Sequence, residues 1–127
     1  MSDLNAIHNR VVWFDLPVVE LDRAIDFYQN VLAIEVSKEK YETFEFAVLE
    51  HDEGNGGCLV PGKKPGDVSD GILIYLNVNH RLQDAVTQVD KFGGKIIEPI
   101  HPIGPHGFRA IVHDSEGNRI VLHSESN

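Results

Sequence analysis

The sequence repeats one pattern of apolar residues, and this repeat limits the possible folds more than any other feature does. Residues 13–32 read as a strand that leads directly into an amphipathic helix, and residues 73–92 repeat the same pattern. When Val18 is aligned with Val78, apolar positions coincide along the strand and, after one inserted residue, along the helix. A match of this kind is typical of a duplicated structural unit. We therefore expect two half-size modules, each too small to bury a core alone.

Both modules are predicted to contain a strand, a helix and three further strands. Module one covers about residues 9–62 and module two about residues 71–125, with a breaker-rich linker at 62–71. Asn79 is expected to cap the second helix and Gly93 to end it. The predicted elements, in chain order, are strand 10–17, a helix that starts near Glu20, strands 34–38, 41–49 and 58–61, strand 72–78, helix 80–92, and strands 95–99, 107–113 and 118–124.

Charge and composition restrict the class of partner. The chain has 127 residues, the size of one domain, and 20 acidic against 11 basic side chains give a net charge of −9. An acidic chain without a basic run is not attracted to phosphate, so we expect no nucleic-acid partner and no membrane binding. No apolar run approaches the ~18 residues of a membrane helix, and residues 1–10 lack the apolar region of a signal peptide. With a single cysteine, Cys58, these features predict a cytoplasmic protein.

Three segments together resemble a known family. They are the strand–helix pattern of residues 16–32, the Gly-Gly-Lys-Ile-Ile run at 93–97, and residues 107–124 with the turn Asp-Ser-Glu-Gly-Asn. In this order, on a duplicated scaffold, they resemble the vicinal oxygen chelate superfamily, which includes glyoxalase I, bleomycin-resistance proteins and extradiol dioxygenases. The resemblance implies one glyoxalase-like domain of the α+β class, in which two βαβββ modules form cupped mixed sheets around a cleft, and it implies a homodimer. Ser115 departs from the family, which usually has proline there.

The resemblance also implies where a metal would bind, and this chain lacks the donors. In metal-dependent members the ligands project into the cleft from the first and fourth strands of each module. The matching positions are Trp13, Leu73 and Val121, and the fourth offers only Cys58 as a side-chain donor. Side chains of Trp, Leu and Val present no lone pair to Zn²⁺, Ni²⁺, Fe²⁺ or Mn²⁺. We therefore predict no metal, no other cofactor and no typical lactoylglutathione lyase reaction.

The cleft that remains has apolar and aromatic walls, as sites for small organic molecules usually do. Our leading hypothesis is a binding protein similar to the bleomycin-resistance branch, which encloses a small ligand and stacks it on the ring of Trp13. The residues predicted to contact the ligand are Trp13, Phe46, Leu73, Tyr75, Phe108, Val121 and His123.

Two other hypotheses stay open at this stage. One is a lyase or isomerase that uses His123 and Asp15 as acid–base groups, or a divalent metal at a relocated site. His123 and Asp15 each lie two residues beyond a former donor position, hence on the same strand face. The other is a dimerisation or scaffold module with a closed cleft. We expect His101 and His106 in a solvated loop, and we expect Cys58 to be an ordinary small strand residue.

Overall fold

The computed structural model describes residues 7–62 and 71–127, so the predicted linker lies almost wholly outside the described residues. Within those ranges the chain forms eight strands, two α-helices and one 3-10 helix, which confirms the α+β class and the predicted order of elements. Neither α-helix has the length and apolar character that crossing a membrane requires. The elements are β1 (Val11–Val18), α1 (Leu21–Leu32), β2 (Val36–Tyr41), β3 (Phe44–Leu49), β4 (Gly56–Pro61), β5 (Leu73–Asn77), α2 (Leu82–Lys91), β6 (Lys95–Pro102), the 3-10 helix (Gly104–His106), β7 (Phe108–His113) and β8 (Arg119–Ser124).

The described residues group into two compact units. The N-terminal unit consists of residues 14–62 and 71–73, and the C-terminal unit consists of residues 7–13 and 74–127. The division falls within β1 and after the first residue of β5. Each unit therefore contains one helix and the three strands that follow it.

In the N-terminal unit, α1 covers one face of strands arranged in the order β2-β3-β4-β1. The helix forms because apolar residues recur at steps of three and four, which gives it one apolar stripe. The stripe residues that pack on the core are Leu21, Ala24, Ile25 and Tyr28. The buried core residues are Val18, Val36, Ala47, Leu49 and Leu59. Alternation along β3 therefore puts Ala47 on the helix side and Phe46 on the opposite face.

In the C-terminal unit the strand order is β5-β8-β7-β6, and β5 is parallel to β8. Helix α2 covers one face, and the buried residues there are Leu82, Ala85, Ala110, Val112 and Leu122. Arg81, and not Asn79, is the N-cap residue of α2, so that prediction is wrong. Asn79 Oδ1 instead accepts a hydrogen bond from the Glu125 amide at 2.7 Å. Gly93, with a φ of 91°, follows the helix in a left-handed conformation, as predicted.

Strand β6 is longer than predicted, and this changes the position of His101. The proline-rich sequence predicts a loop from Pro99 onward, whereas β6 extends through Pro102. Its pairing with β7 is irregular on both sides of Glu98. Such bulges can accommodate proline residues, which a regular strand does not. His101 therefore lies in the sheet, opposite Arg109. The prediction of a solvated loop is wrong for this residue.

The two units also pair their third and fourth strands in the same way. Val48 lies opposite Cys58 between β3 and β4, and Ile111 lies opposite Val121 between β7 and β8. All four residues lie on the sheet face that the helix of their own unit does not cover. When the turn glycines Gly54 and Gly117 are aligned, each four residues before Cys58 or Val121, the two registers give a residue-by-residue correspondence between the units.

Candidate functional site

The face of the C-terminal unit opposite α2 carries a group of polar and aromatic side chains. Arg109 of β7 lies opposite His123 of β8 and opposite His101 of β6. Tyr75 of β5 lies opposite Val121, two residues before His123. Since alternate residues of a strand share a face, these five side chains project on the same side. We refer to Tyr75, His101, Arg109 and His123 as the basic–aromatic cluster.

Arg109 is at the centre of this cluster. Its Nη1 atom donates a hydrogen bond to the Tyr75 hydroxyl oxygen, and its Nε atom donates one to His101 Nε2 at 3.0 Å. The central guanidinium carbon lies 5.8 Å from the centre of the Tyr75 ring, within range of a cation–π interaction. Two hydrogen bonds from different nitrogens define the plane of the guanidinium, so Arg109 is held in one orientation.

The hydrogen bonds of His101 fix its tautomer. Nδ1 of His101 lies 2.8 Å from the Pro99 carbonyl oxygen, and a carbonyl oxygen only accepts. Nδ1 therefore carries the hydrogen, and Nε2 of the neutral ring offers its lone pair to Arg109. Arg109 thus bonds to a neutral imidazole and to a phenol hydroxyl. These two contacts fix the orientation of the guanidinium.

His123 is the most buried member of the cluster. It is 2 % exposed, and its Nε2 donates a hydrogen bond to the His106 carbonyl oxygen at 2.7 Å. Burial lowers the pKa of His123 below its usual value of 6.5, the hydrogen bond to His106 opposes this, and the charge of Arg109 lowers it further. The neutral ring is therefore favoured, with its hydrogen on Nε2. Nδ1 is the nitrogen that can accept a hydrogen bond or a proton.

The cluster has a buried part and an accessible part. Tyr75 is 5 % exposed, and the centre of its ring lies 6.3 Å from that of His123. Arg109 and His101 are half-buried and reach solvent. Arg109 and His101 are therefore the more accessible members of the cluster.

Trp13 is the single tryptophan of the chain and belongs to the same unit. It is 8 % exposed. Just before β1, the Arg10 carbonyl accepts a hydrogen bond from the Asn77 amide at the end of β5, at 2.7 Å. The first residues of β1 therefore lie beside β5, the strand that carries Tyr75. Trp13 adds a buried aromatic side chain to the strand next to that of Tyr75.

Three other predicted ligand contacts lie elsewhere. Phe108 alternates with Arg109 along β7, so it lies on the opposite face and packs against the core under α2. Phe46 and Leu73 belong to the N-terminal unit. Leu73 is buried, whereas Phe46 is half-buried and stacks on Phe44 with ring centres 6.0 Å apart.

Asp15, the second predicted acid–base group, also belongs to the N-terminal unit. The Cys58 thiol donates a hydrogen bond to Asp15 Oδ1 at 3.1 Å. Cys58 is buried within β4, in agreement with the prediction of a small strand residue. Asp15 and Cys58 therefore bond to each other within one unit, and His123 lies in the other.

The sequence predictions omit the two half-buried members of the cluster. Arg109 does have a local signal, because it is the one charged residue between Phe108 and Val112 and alternates onto the same face as Ile111. His101 has no such signal, because its position depends on the irregular pairing of β6. The cluster can be identified only when the register of β6 with β7 is known, because that register places His101 opposite Arg109.

The residues at the family's metal positions do not fit a divalent ion. Trp13, Leu73 and Val121 are all buried and offer no lone pair. Cys58, at the fourth position, uses its hydrogen in a bond to Asp15. Over residues 7–62 and 71–127, no three His, Cys, Asp or Glu side chains come together in a way that could hold a metal ion.

The repeated strand–helix–strand units define a protein of the glyoxalase-like fold class. The model of the Glyoxalase/Bleomycin resistance protein/Dioxygenase superfamily matches residues 10–122 of the chain. The chain therefore belongs to this superfamily, and the resemblance inferred from the sequence motifs is confirmed. No curated protein sequence matches the chain.

Solved structures with the same fold cover almost the whole chain. A hypothetical protein from Bacillus halodurans C-125 has a TM-score of 0.73 and 16% identity, covering 94% of this chain and 96% of its own. Methylmalonyl-CoA epimerase from Mycobacterium tuberculosis has a TM-score of 0.70 and 16% identity, covering 99% and 91%. A superfamily member from Vibrio splendidus 12B01 has a TM-score of 0.65 and 18% identity, covering 91% and 97%. At these identities the likeness concerns the fold and not the activity.

Proposed function

We propose that this protein binds a small organic molecule on the face of the C-terminal unit that carries the basic–aromatic cluster. The observation that carries the proposal is an oriented, half-buried guanidinium in contact with the buried ring of Tyr75. Trp13 is buried in the strand next to that of Tyr75. Small-molecule sites usually combine apolar walls with a few fixed polar groups, and this face has both. Of the contacts predicted from the sequence in this unit, we keep Trp13, Tyr75, Val121 and His123, and we add His101 and Arg109.

We further propose that binding needs no metal ion. This part rests on the donor set, because Trp13, Leu73 and Val121 occupy the positions from which chelating relatives coordinate a metal. Recognition then depends on apolar contact, on hydrogen bonds from the cluster and on stacking against aromatic rings. Stacking on a ring such as that of Trp13 contributes roughly 0.5–1.5 kcal/mol beyond burial.

Fluorescence offers a direct test, because the emission of a single tryptophan reports on Trp13 alone. We expect small aromatic fragments to change this emission and to raise the melting temperature, equally with and without EDTA. Trp13→Phe, followed by thermal shift, is expected to weaken binding about two- to tenfold through reduced stacking. Phe92→Leu is the matched control, since Phe92 is 76% exposed in the same unit and its loss should leave affinity unchanged.

Two results would refute parts of this proposal. If no fragment in a diverse set changes the emission of Trp13 or the melting temperature, the face is not a binding site. That result would favour the hypothesis of a dimerisation or scaffold module. If elemental analysis finds a stoichiometric metal and EDTA abolishes fragment binding, the metal-free part is wrong.

A second candidate function is an isomerase or lyase in which His123 transfers a proton. It is favoured by the fixed tautomer of His123, which leaves Nδ1 of a neutral ring as a base. Among the similar solved structures are methylmalonyl-CoA epimerases, and an epimerase is an isomerase. In such a reaction Nδ1 takes a proton from a carbon acid and returns it, so that the ring ends as it began.

Solvent exchange distinguishes this candidate from simple binding. Incubation of bound carbon acids in D₂O should replace their acidic C–H hydrogen with deuterium, as followed by proton NMR. The exchange should stop in His123→Gln, which retains a donor for the His106 carbonyl but has no basic nitrogen. If carbon acids bind but their C–H hydrogen does not exchange with deuterium, the isomerase or lyase candidate is refuted and the proposed binding function stands.

We also propose a homodimer, as the family resemblance implies, and a cytoplasmic location, as the composition of the chain favours. Light scattering on purified protein tests the first of these. A single species at the monomer mass of 14.2 kDa would contradict it.

A further inference from the structure

Most of the negative charge of this protein belongs to one of its two units. The described residues of the N-terminal unit include 11 acidic and three basic side chains, whereas those of the C-terminal unit include six of each. The described part of the N-terminal unit therefore has a net charge of −8, and that of the C-terminal unit has none. Since the potential near a protein follows the distribution of its charge, a small cation is attracted to the N-terminal unit.

Three aromatic side chains of this unit lie together on the hairpin that β2 and β3 form. Tyr41 pairs with Phe44 at the end of the hairpin, and Phe46 follows Phe44 on the same face. The rings of Phe44 and Phe46 are stacked, with 6.0 Å between their centres and 21° between their planes. Helix α1 does not cover this face, because Ala47 and Leu49 alternate onto the helix side and join the core there.

Two of these three rings are well exposed to solvent. Tyr41 is 41% exposed and Phe44 is 44% exposed, while Phe46 is half-buried. Large apolar side chains that gather at a surface often mark an interaction site, whereas single exposed ones need no explanation. Within residues 7–62 and 71–127, no ring contact joins Tyr41 to Phe44. The two exposed rings can therefore each contact a molecule in solution.

Glu39 adds a carboxylate to the same face of the hairpin. It lies opposite Phe46, two residues before Tyr41, and it is exposed. Among the residues that the structure describes, its carboxylate has no ion-pair partner. We refer to Glu39, Tyr41, Phe44 and Phe46 as the hairpin cluster. The cluster thus combines a negative charge with the faces of aromatic rings.

The basic side chains of this unit, as far as the structure describes it, lie elsewhere. Lys38 and Lys40 alternate with Glu39 along β2 and so project on the helix side, where Lys38 forms an ion pair with Asp22 of α1. The third, Arg23, is on α1. No cation from the described part of the unit therefore shares the face of Glu39.

This combination of groups suits an organic cation. The face of an aromatic ring carries negative charge density, which attracts a cation placed over it. A quaternary ammonium group fits such a surface, because its methyl groups contact the rings and it has no N–H group that needs an acceptor. The carboxylate of Glu39 supplies the opposite charge.

We propose that the hairpin cluster binds a small organic cation, of the quaternary ammonium class, that is free in solution. The cation contacts the rings of Phe44 and Tyr41, and Glu39 lies beside it as the counter-charge. This site is separate from the proposed function, because the basic–aromatic cluster belongs to the C-terminal unit.

The test compares a cation with a neutral molecule of the same shape. Choline and 3,3-dimethyl-1-butanol are titrated against the full chain, with saturation-transfer NMR of the ligand methyl signals as the readout. Two exposed rings that each make a cation–π interaction should let the wild-type protein bind choline about 5- to 30-fold more tightly than the alcohol.

Variants of Phe44 test the contribution of the ring. Phe44→Leu keeps an apolar side chain, so it should weaken choline binding about two- to fivefold and leave binding of the alcohol unchanged. Phe27→Leu is the matched control, since Phe27 is a 49% exposed phenylalanine of α1 in the same unit. Phe44→Trp should strengthen choline binding, because tryptophan is the best ring for this interaction. This gain keeps the test decisive if Phe44→Leu does not fold.

Variants of Glu39 test the contribution of the charge. Glu39→Gln should weaken choline binding about two- to fivefold and should not affect the alcohol. Glu45→Gln is the matched control, because it removes the same charge from the same hairpin on the helix side, where Glu45 acts on Lys38. Choline binding should be unchanged in this control.

Five results would overturn the inference. The first is that choline does not bind, or binds no more tightly than the alcohol. The second is a preference for choline that survives in both Phe44→Leu and Glu39→Gln, since the cation then binds elsewhere. The third is an equal loss in Glu39→Gln and Glu45→Gln, which would mean that only the overall charge acts. The fourth is that phosphatidylcholine vesicles bind with the same dependence on Phe44, which would make the ligand a lipid headgroup. The fifth is self-association in light scattering that Phe44→Leu abolishes, since the rings would then join two copies of the chain. The proposed function of the C-terminal unit would stand in every case.

Discussion

Replacement of Gly107 by alanine should destabilise the protein through one close backbone contact. Gly107 has a φ of +95°, a conformation that residues with a side chain rarely adopt. A Cβ atom there would lie 2.5 Å from the Ser124 carbonyl oxygen. Since that oxygen belongs to the main chain of β8, it cannot turn away as a flexible side chain would. Gly107 also directly follows His106, whose carbonyl accepts the hydrogen bond from His123.

The size of the effect follows from a comparison with Gly117. Gly117 also has a positive φ, +88°, but a Cβ atom there would meet nothing within 4 Å. Both alanine variants lose about 1–2 kcal/mol for the positive φ and regain about 0.4–1 kcal/mol from a less flexible unfolded chain. Gly107→Ala must in addition shift β8 against β7, and forced packing of this kind costs about 1–3 kcal/mol. The difference between the two variants reports this contact together with the strain of the Gly107 ψ of −135°, which lies outside the left-handed helical region.

Urea unfolding, followed by Trp13 fluorescence, measures both free energies of unfolding. We expect Gly107→Ala to be less stable than Gly117→Ala by about 1–3 kcal/mol with an unchanged denaturant slope. A difference below about 0.5 kcal/mol would refute the reasoning, because the close approach at Ser124 would then be relieved at no cost.

Three further predictions concern a core residue, an exposed residue and the basic–aromatic cluster. Leu59→Ala, at a site that is 0% exposed, should lower the free energy of unfolding in urea by about 2–5 kcal/mol; a loss under 1 kcal/mol would contradict its place in the core. Phe92→Ala, at a site 76% exposed, should change the same quantity by no more than about 0.5 kcal/mol. The lowered pKa of His123 means that the unfolded chain takes up a proton first as the pH falls. The stability from the neutral ring is therefore fully present above about pH 6.5 and is lost as the pH falls through the lowered folded-state pKa. His123→Gln should flatten the fall in melting temperature below pH 6.5, and identical profiles for both proteins would show that another group is responsible.

Much of the fold could be predicted from the sequence, because it depends on local periodicity. The apolar stripe of α1 and the left-handed Gly93 need only neighbouring residues, and both predictions are confirmed. Asn79 has the side chain of a good cap, but its oxygen bonds to the Glu125 amide, which lies 46 residues away. Local patterns do not contain such contacts, so the error at this residue has a physical cause.

The candidate site was harder to predict than the fold, since it depends on strand register. Phe108 looks like a ligand contact because it is aromatic, yet its alternation with Arg109 assigns it to the core under α2. His101 looks like a loop residue because prolines surround it, yet the irregular pairing of β6 brings it opposite Arg109. In both cases the side chain's surroundings follow from pairing across the sheet and not from its own segment.

The shared register of the two units shows whether the strand pairing itself requires the polar side chains of the basic–aromatic cluster. Counting along the paired strands matches Phe46 with Arg109 and Val60 with His123. The N-terminal unit therefore has a phenyl ring and an aliphatic side chain at the two positions where the C-terminal unit has Arg109 and His123. Since this strand pairing forms with hydrophobic side chains at both places in the N-terminal unit, it does not itself require the guanidinium of Arg109 or the imidazole of His123.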